Sequence, residues 1–188
     1  AVNYDLSYKG NFLDNTLKLY AAAFYSKIYN TILSVNNVAY DSSTETSLSQ
    51  LQNTGKSEHI GFESGVNYQI IPSLLAGANY TYTKLNNITS PGIYFTDVPR
   101  SKLFGFVQYA LKNIFSVQVN GEYDSKRYST SYGTVAGAFT LFNASAKVHV
   151  WRWFSAEAGV NNIFDKNYAL TECYPEPGRN YFTNLVYR

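Results

Sequence analysis

Apolar and polar residues alternate one for one along most of this 188-residue chain. That is the period of a strand, whose successive side chains point to opposite faces. Val2, Tyr4, Leu6 and Tyr8 share one face, and Asn3, Asp5, Ser7 and Lys9 the other. Further on, Ile60, Phe62, Val66, Tyr68 and Ile70 oppose Gly61, Glu63, Gly65, Asn67 and Gln69. Phe115, Val117, Val119, Gly121 and Tyr123 oppose Ser116, Gln118, Asn120, Glu122 and Asp124. Phe142, Ala144, Ala146, Val148 and Val150 lie over Asn143, Ser145, Lys147 and His149, and Phe154, Ala156, Ala158 and Val160 over Ser155, Glu157, Gly159 and Asn161. The last run sets Tyr181, Leu185 and Tyr187 against Asn180, Asn184 and Arg188. No helical period competes. The expected fold is all-β, with nine strands near 2–10, 16–34, 50–71, 74–86, 101–111, 114–128, 138–150, 153–164 and 180–188.

What lies outside the apolar face depends on composition and on the connections. Charged residues make up 15% of the chain, against roughly 25% in soluble domains. Aromatics reach 17%, and 18 of them are Tyr. No run approaches the ~20 apolar residues of a membrane helix, but a membrane barrel needs only alternate residues to be apolar. Short turns are expected near 11–16, 71–73, 112–113 and 151–152, and long polar connections near 36–49, 87–101, 129–137 and 166–179. Strict short–long alternation in an antiparallel up-and-down meander puts all the long loops at one end, as in outer-membrane barrels. Tyr20, Tyr68, Tyr109, Tyr123, Trp151, Trp153 and Tyr187 are expected as interfacial girdles. Nine is an odd count, and an unpaired edge in hydrocarbon leaves backbone groups unsatisfied. The strands are therefore read as part of a larger transmembrane barrel. With no Met at position 1 and no signal peptide, the chain reads as a mature or excised segment.

Several chemistries are disfavoured. A net charge of +2 gives no support to nucleic-acid binding. Cys173 is alone, and His59 and His149 lack metal-ligand spacing, so no metal site or cofactor is expected. Asp5, Glu63, Glu122, Asp124 and Glu157 fall on the polar faces as lumen lining, without a catalytic constellation. The chain is not expected to be an enzyme.

Four blocks carry a family resemblance. Residues Gly159, Val160, Asn161, Asn162, Ile163, Phe164, Asp165, Lys166, Asn167 and Tyr168 resemble the "G-V-x-N-L-F-D-K-x-Y" block of TonB-dependent outer-membrane receptors. Pro177, Gly178 and Arg179 are similar to that family's "P-G-R" before the last strand. Asn53, Gly55, Gly61 and Glu63 fit its "N-x-G-x-x-x-x-x-G-x-E", and Pro99 and Arg100 its "P-R-H", with Ser101 in place of His. The resemblance implies that residues 1–188 are a C-terminal segment, about nine strands of a 22-stranded barrel. The family's plug domain and TonB box have no counterpart here. Its C-terminal aromatic is also missing, as the chain stops at Arg188. The resemblance further implies location in the bacterial outer membrane and capture of a scarce metal chelate, a ferric siderophore first. The implied partners are outer-membrane lipid, the chelate and TonB.

Within the long loops, Tyr94, Phe95, Lys126, Arg127, Tyr128 and Tyr132 combine rings with positive charge. Guanidinium and ammonium groups pair with oxygens of an anionic aromatic chelate, and rings stack on its face. These six are the candidate ligand residues. Asn161, Asn162 and Asp165 are expected to make side-chain-to-backbone bonds at a strand end, and Arg179 to hold a carboxylate in place rather than face an anionic ligand. Two other readings remain at this stage: a passive pore or small closed barrel of eight or ten strands, and a soluble β-sandwich or lipocalin-like binder.

Overall fold

The computed structural model describes residues 1–112, 114–151 and 153–187, with Trp151 through its backbone alone. In chain order the strands are β1 (Val2–Phe12), β2 (Leu17–Asp41), β3 (Thr46–Ile71), β4 (Leu74–Asn87), β5 (Ser101–Leu111), β6 (Phe115–Asp124), β7 (Arg127–Tyr128), β8 (Val135–Ala136), β9 (Phe139–Trp151), β10 (Phe154–Asn161), β11 (Ala169–Thr171), β12 (Tyr174–Pro175) and β13 (Asn180–Tyr187). Nine of them form one sheet in the order β1-β2-β3-β4-β5-β6-β9-β10-β13. Every neighbouring pair in it is antiparallel. β7–β8 and β11–β12 are small hairpins inside two connections.

The meander places the short turns at one end and the long connections at the other. The expected turns over 112–113 and 151–152 fall partly on Asn113 and Arg152, outside the described residues, as does Arg188. At the first turn Leu13, Asp14 and Asn15 all take positive φ, and Thr16 N–H and Oγ1–H both donate to Leu13 O, at 3.1 and 2.7 Å. Asp14 and Asn15 tolerate that left-handed backbone through their short polar side chains.

The expected polar loop at 36–49 is a correction. There β2 and β3 simply continue, pairing Tyr40 with Ser47 and Asp41 with Thr46, so only residues 42–45 form a tip. About 9–11 residues of a tilted strand cross a bilayer, whereas β2 has 25 and β3 has 26. The remainder stands beyond the bilayer, where neither face must be apolar, so the alternation fades. At the tip the Asp41 carboxylate accepts from Ser43 N–H at 2.9 Å, Ser43 Oγ at 2.6 Å and Thr44 Oγ1 at 3.0 Å. These donors hold its pKa below the usual carboxylate range, Ser43 contributing most. β6 and β10 also end earlier than expected, at Asp124 and Asn161.

Register confirms the assigned faces. Val119 stands opposite Ala144, and Ala144 opposite Val160, while Gln118 stands opposite Ser145. On the polar face Asn143 Nδ2 donates to Asn120 Oδ1 at 2.8 Å. Tyr20 is a second correction. It lies on the polar face, under the Lys9 ammonium at 5.6 Å, and its hydroxyl donates to Glu63 Oε2 at 3.2 Å. Trp151, another girdle residue, has no described side chain.

The sheet has no globular core. Among the described residues only Ala136 and Phe139 are buried apolar side chains, and the accessible surface is 12418 Å². A soluble monomer of this mass exposes about 9,100 Å². β1 and β13 are opposite edges of an open sheet. The small closed barrel and the soluble sandwich are both overturned by this geometry.

Candidate functional site

Three segments meet at the long-connection end: the β2–β3 ribbon, residues 88–100 between β4 and β5, and residues 125–138 carrying β7–β8. Asn87 starts the first loop, its Oδ1 accepting from Ser90 N–H at 3.0 Å. Lys56 N–H donates to Thr89 Oγ1 at 2.9 Å, fastening this loop to β3. Its middle is laid along the β7–β8 hairpin: Tyr94 N–H donates to Ser131 O and Asp97 N–H to Tyr128 O, both at 2.9 Å.

A cavity of about 340 Å³ lies between the end of β4, the 88–100 loop and the 125–138 connection. Tyr94, Phe95, Lys126, Arg127 and Tyr128 border it, five of the six residues selected from sequence. Tyr132 is not among its walls and is exposed. Thr83, Asn87 and Arg100 also line it. The sequence reading missed all three. Arg100 belonged to a block read only as a strand opening, and nothing in that block signals a side chain turned toward a cavity.

The rings are organised by contact. Tyr94 and Tyr128 stack with centroids 4.2 Å apart and planes at 26°. Phe95 meets His59 edge-on at 5.3 Å.

The charges divide into two groups. Arg127 is buried, and its Nη2 donates to Asp124 Oδ2 at 2.5 Å. Its guanidinium also lies over the Phe139 ring at 5.6 Å, and Phe139 packs on Tyr168 at 4.6 Å. Lys102 Nζ sits 3.0 Å from Glu122 and 3.7 Å from Asp124. Arg127 therefore meets its countercharge within the chain. Lys126 and Arg100 have no carboxylate partner among the described residues. Burial pushes the neighbouring Tyr168 phenol up, with Glu176 adding to the shift.

Chemically, the cavity combines stacked phenols, two cations without carboxylate partners and amide or hydroxyl groups. Those suit anionic oxygens and flat rings. Among the described residues no three His, Cys, Asp or Glu side chains gather as a metal site.

The block at the end of β10 holds the chain's own backbone in place. Asn162 N–H donates to Asn143 Oδ1 at 2.9 Å, Asn162 Oδ1 accepts from Lys166 N–H at 2.8 Å, and Asn162 Nδ2 donates to Lys166 O at 2.8 Å. Asp165 Oδ1 accepts from the Arg179 backbone N–H at 2.8 Å, and among the described residues the Arg179 guanidinium makes no ion pair with a carboxylate.

The family model "TonB dependent receptor-like, beta-barrel" matches residues 1–163. A probable TonB-dependent siderophore receptor, PiuA of Acinetobacter baumannii, is 25% identical over 190 residues, covering 93% of this chain and 24% of that protein. The ferric-pyoverdine BN7/BN8 receptor of Pseudomonas putida is 25% identical over 193 residues, covering 99% and 22%. The chain thus spans about a quarter of the length of these curated relatives. Among solved structures, the copper transporter OprC superposes with a TM-score of 0.84 at 19% identity, over 98% of this chain and 30% of that one.

Proposed function

This chain belongs to the TonB-dependent receptor-like β-barrel family, and from that premise we propose that it is the C-terminal part of the barrel of an outer-membrane receptor. The receptor takes up a scarce metal chelate in a TonB-dependent way, and a ferric siderophore is the first ligand to test. Both curated relatives are described as siderophore or ferric-pyoverdine receptors, and the family is one of receptors rather than enzymes. The observation that carries the reading is the cavity at the long-loop end, where Tyr94 and Tyr128 stack beside Lys126 and Arg100.

Capture there is binding chemistry. Charge-assisted hydrogen bonds from Lys126 and Arg100 to chelate oxygens contribute about 1.5–3 kcal/mol each, and ring stacking adds shape selection. The donor set favours an intact anionic chelate over a bare metal ion. A plug domain and a TonB box elsewhere in the full-length receptor supply gating and energy in this reading. The polar face then serves as the inner wall against which a plug rests.

The test is uptake of radiolabelled iron, presented as a panel of ferric siderophores, to cells expressing the full-length receptor or lacking it. Uptake of at least one chelate should need both the receptor and TonB. Undiminished uptake of the whole panel after deletion of the receptor gene overturns the ligand class.

A further inference from the structure

The β2–β3 ribbon carries a break that the barrel does not require. Val35 pairs with Gln50 and Ala39 with Leu48, so residues 36–38 oppose the single residue Ser49. Such a bulge leaves residues out of the ladder and re-aims their groups. Here the freed Asn36 N–H donates to Ser131 Oγ at 2.8 Å, and Ser131 N–H donates back to Asn36 Oδ1 at 2.9 Å. The amide is completed by Asn36 Nδ2, which donates to Ser49 Oγ across the ribbon at 3.1 Å. Asn37 beside it takes φ 58°, a left-handed value that Asn tolerates.

The partner is buried. Ser131 is 2% exposed, and its carbonyl accepts from Tyr94 N–H at 2.9 Å. Tyr94 in turn stacks on Tyr128 at the cavity wall. An unbroken line of contacts therefore runs from the ribbon through Asn36 and Ser131 to both stacked rings. Lys56 fastens only the start of the 88–100 loop, through Thr89. Asn36 reaches its middle only through Ser131, whose carbonyl holds Tyr94 N–H.

We propose that Asn36 is a positioning residue. Paired with Ser131, it locks the ribbon to the cavity walls so that the three outer segments behave as one cap, and ribbon displacement is transmitted to the Tyr94–Tyr128 stack. That the cap serves chelate capture rests on the function proposed above. The lock itself does not. Asn suits the position because its amide accepts from one segment while donating to another.

The experiment uses the full-length receptor with Cys173→Ser, spin-labelled at Ser42→Cys on the ribbon tip and at Gly92→Cys, where an added Cβ meets nothing within 4 Å. A single narrow distance is expected for the parent and for Asn36→Asp, which keeps the acceptor for Ser131 N–H. Asn36→Ala and Ser131→Ala should broaden that distribution, and amide protection at Tyr94 should fall roughly tenfold while the barrel stays resistant to unfolding in detergent. A narrow distance with full Tyr94 protection in a folded Asn36→Ala receptor overturns the lock. If Asn36→Ala fails to assemble, Ser131→Ala separates the same two outcomes, since it removes one hydroxyl only. No ligand enters these measurements, so their failure is distinct from failure of the chelate reading.

Discussion

Arg127 and Lys126 are adjacent in sequence and opposite in circumstance. Arg127 is clamped between Asp124 and Phe139, whereas Lys126 borders the cavity without a carboxylate partner. Removing one member of a buried ion pair leaves the other uncompensated, at about 3–5 kcal/mol. Lys102, 3.7 Å from Asp124, puts Arg127→Ala at the low end of that range. Arg127→Ala should therefore lower barrel stability by about 3 kcal/mol in denaturant unfolding, and adding Asp124→Asn should recover part of the loss. Full stability of the single variant would show the pair to be unimportant. Lys126→Ala and Arg100→Ala should leave stability unchanged and weaken chelate binding about 10- to 100-fold each, the loss of one charge-assisted bond. Asp41 gives a pH dependence at the ribbon tip. Its pKa is lowered in the folded chain, so its contribution is present above the ordinary carboxylate pKa near 3.9 and is lost as pH falls through the lower folded value. Amide protection of Ser43 should persist at about pH 5 and disappear only below the ordinary carboxylate range. Loss already at pH 5 would contradict the assigned carboxylate turn.

At the scale of strands, one face must meet hydrocarbon and the other need not. Lys or Arg at mid-depth on the lipid face costs about 2–4 kcal/mol. Val119 lies on that face and Gln118 on the other, in register with Ala144 and Ser145. Val119→Arg should cut membrane-assembled receptor sharply in outer-membrane fractions, and Gln118→Arg should not. Equal abundance of the two would invert or dissolve the face assignment. This asymmetry is also why the strands were legible in the sequence. Wherever the bilayer demands apolar residues on one side, as in Phe115 to Tyr123, the alternation marks the strand. Beyond the bilayer the demand vanishes, so Thr46 to Ser49 reads as loop although Thr46, Ser47 and Leu48 pair with β2. The bulge at 36–38 erases the period further. Five of the cavity-lining residues were legible because rings and cations cluster within two loops. Asn36, Asn87 and Arg100 were not, because their roles depend on contacts between segments far apart in the chain.

The sheet has two unpaired edges and, among the described residues, almost no apolar interior. Each edge strand presents free N–H and C=O groups, which in hydrocarbon cost several kcal/mol apiece and in water template association. The outward face compounds this, with Leu6 at 77% and Leu185 at 66% exposed on the two edge strands. Neither solvent suits the chain alone. Water meets the apolar face, and lipid meets the open edges. Only pairing of β1 and β13 to further strands satisfies both conditions at once. Expressed by itself, the 188-residue chain should therefore collect in the insoluble fraction. After refolding into detergent it should form mixed oligomers without the gel-mobility shift on heating that marks a closed barrel. The full-length receptor should show that shift. A detergent-free monomer of this chain, or a heat-modifiable monomer in detergent, would mean that the sheet closes or covers its edges by itself, and the open nine-stranded arrangement would have to be abandoned.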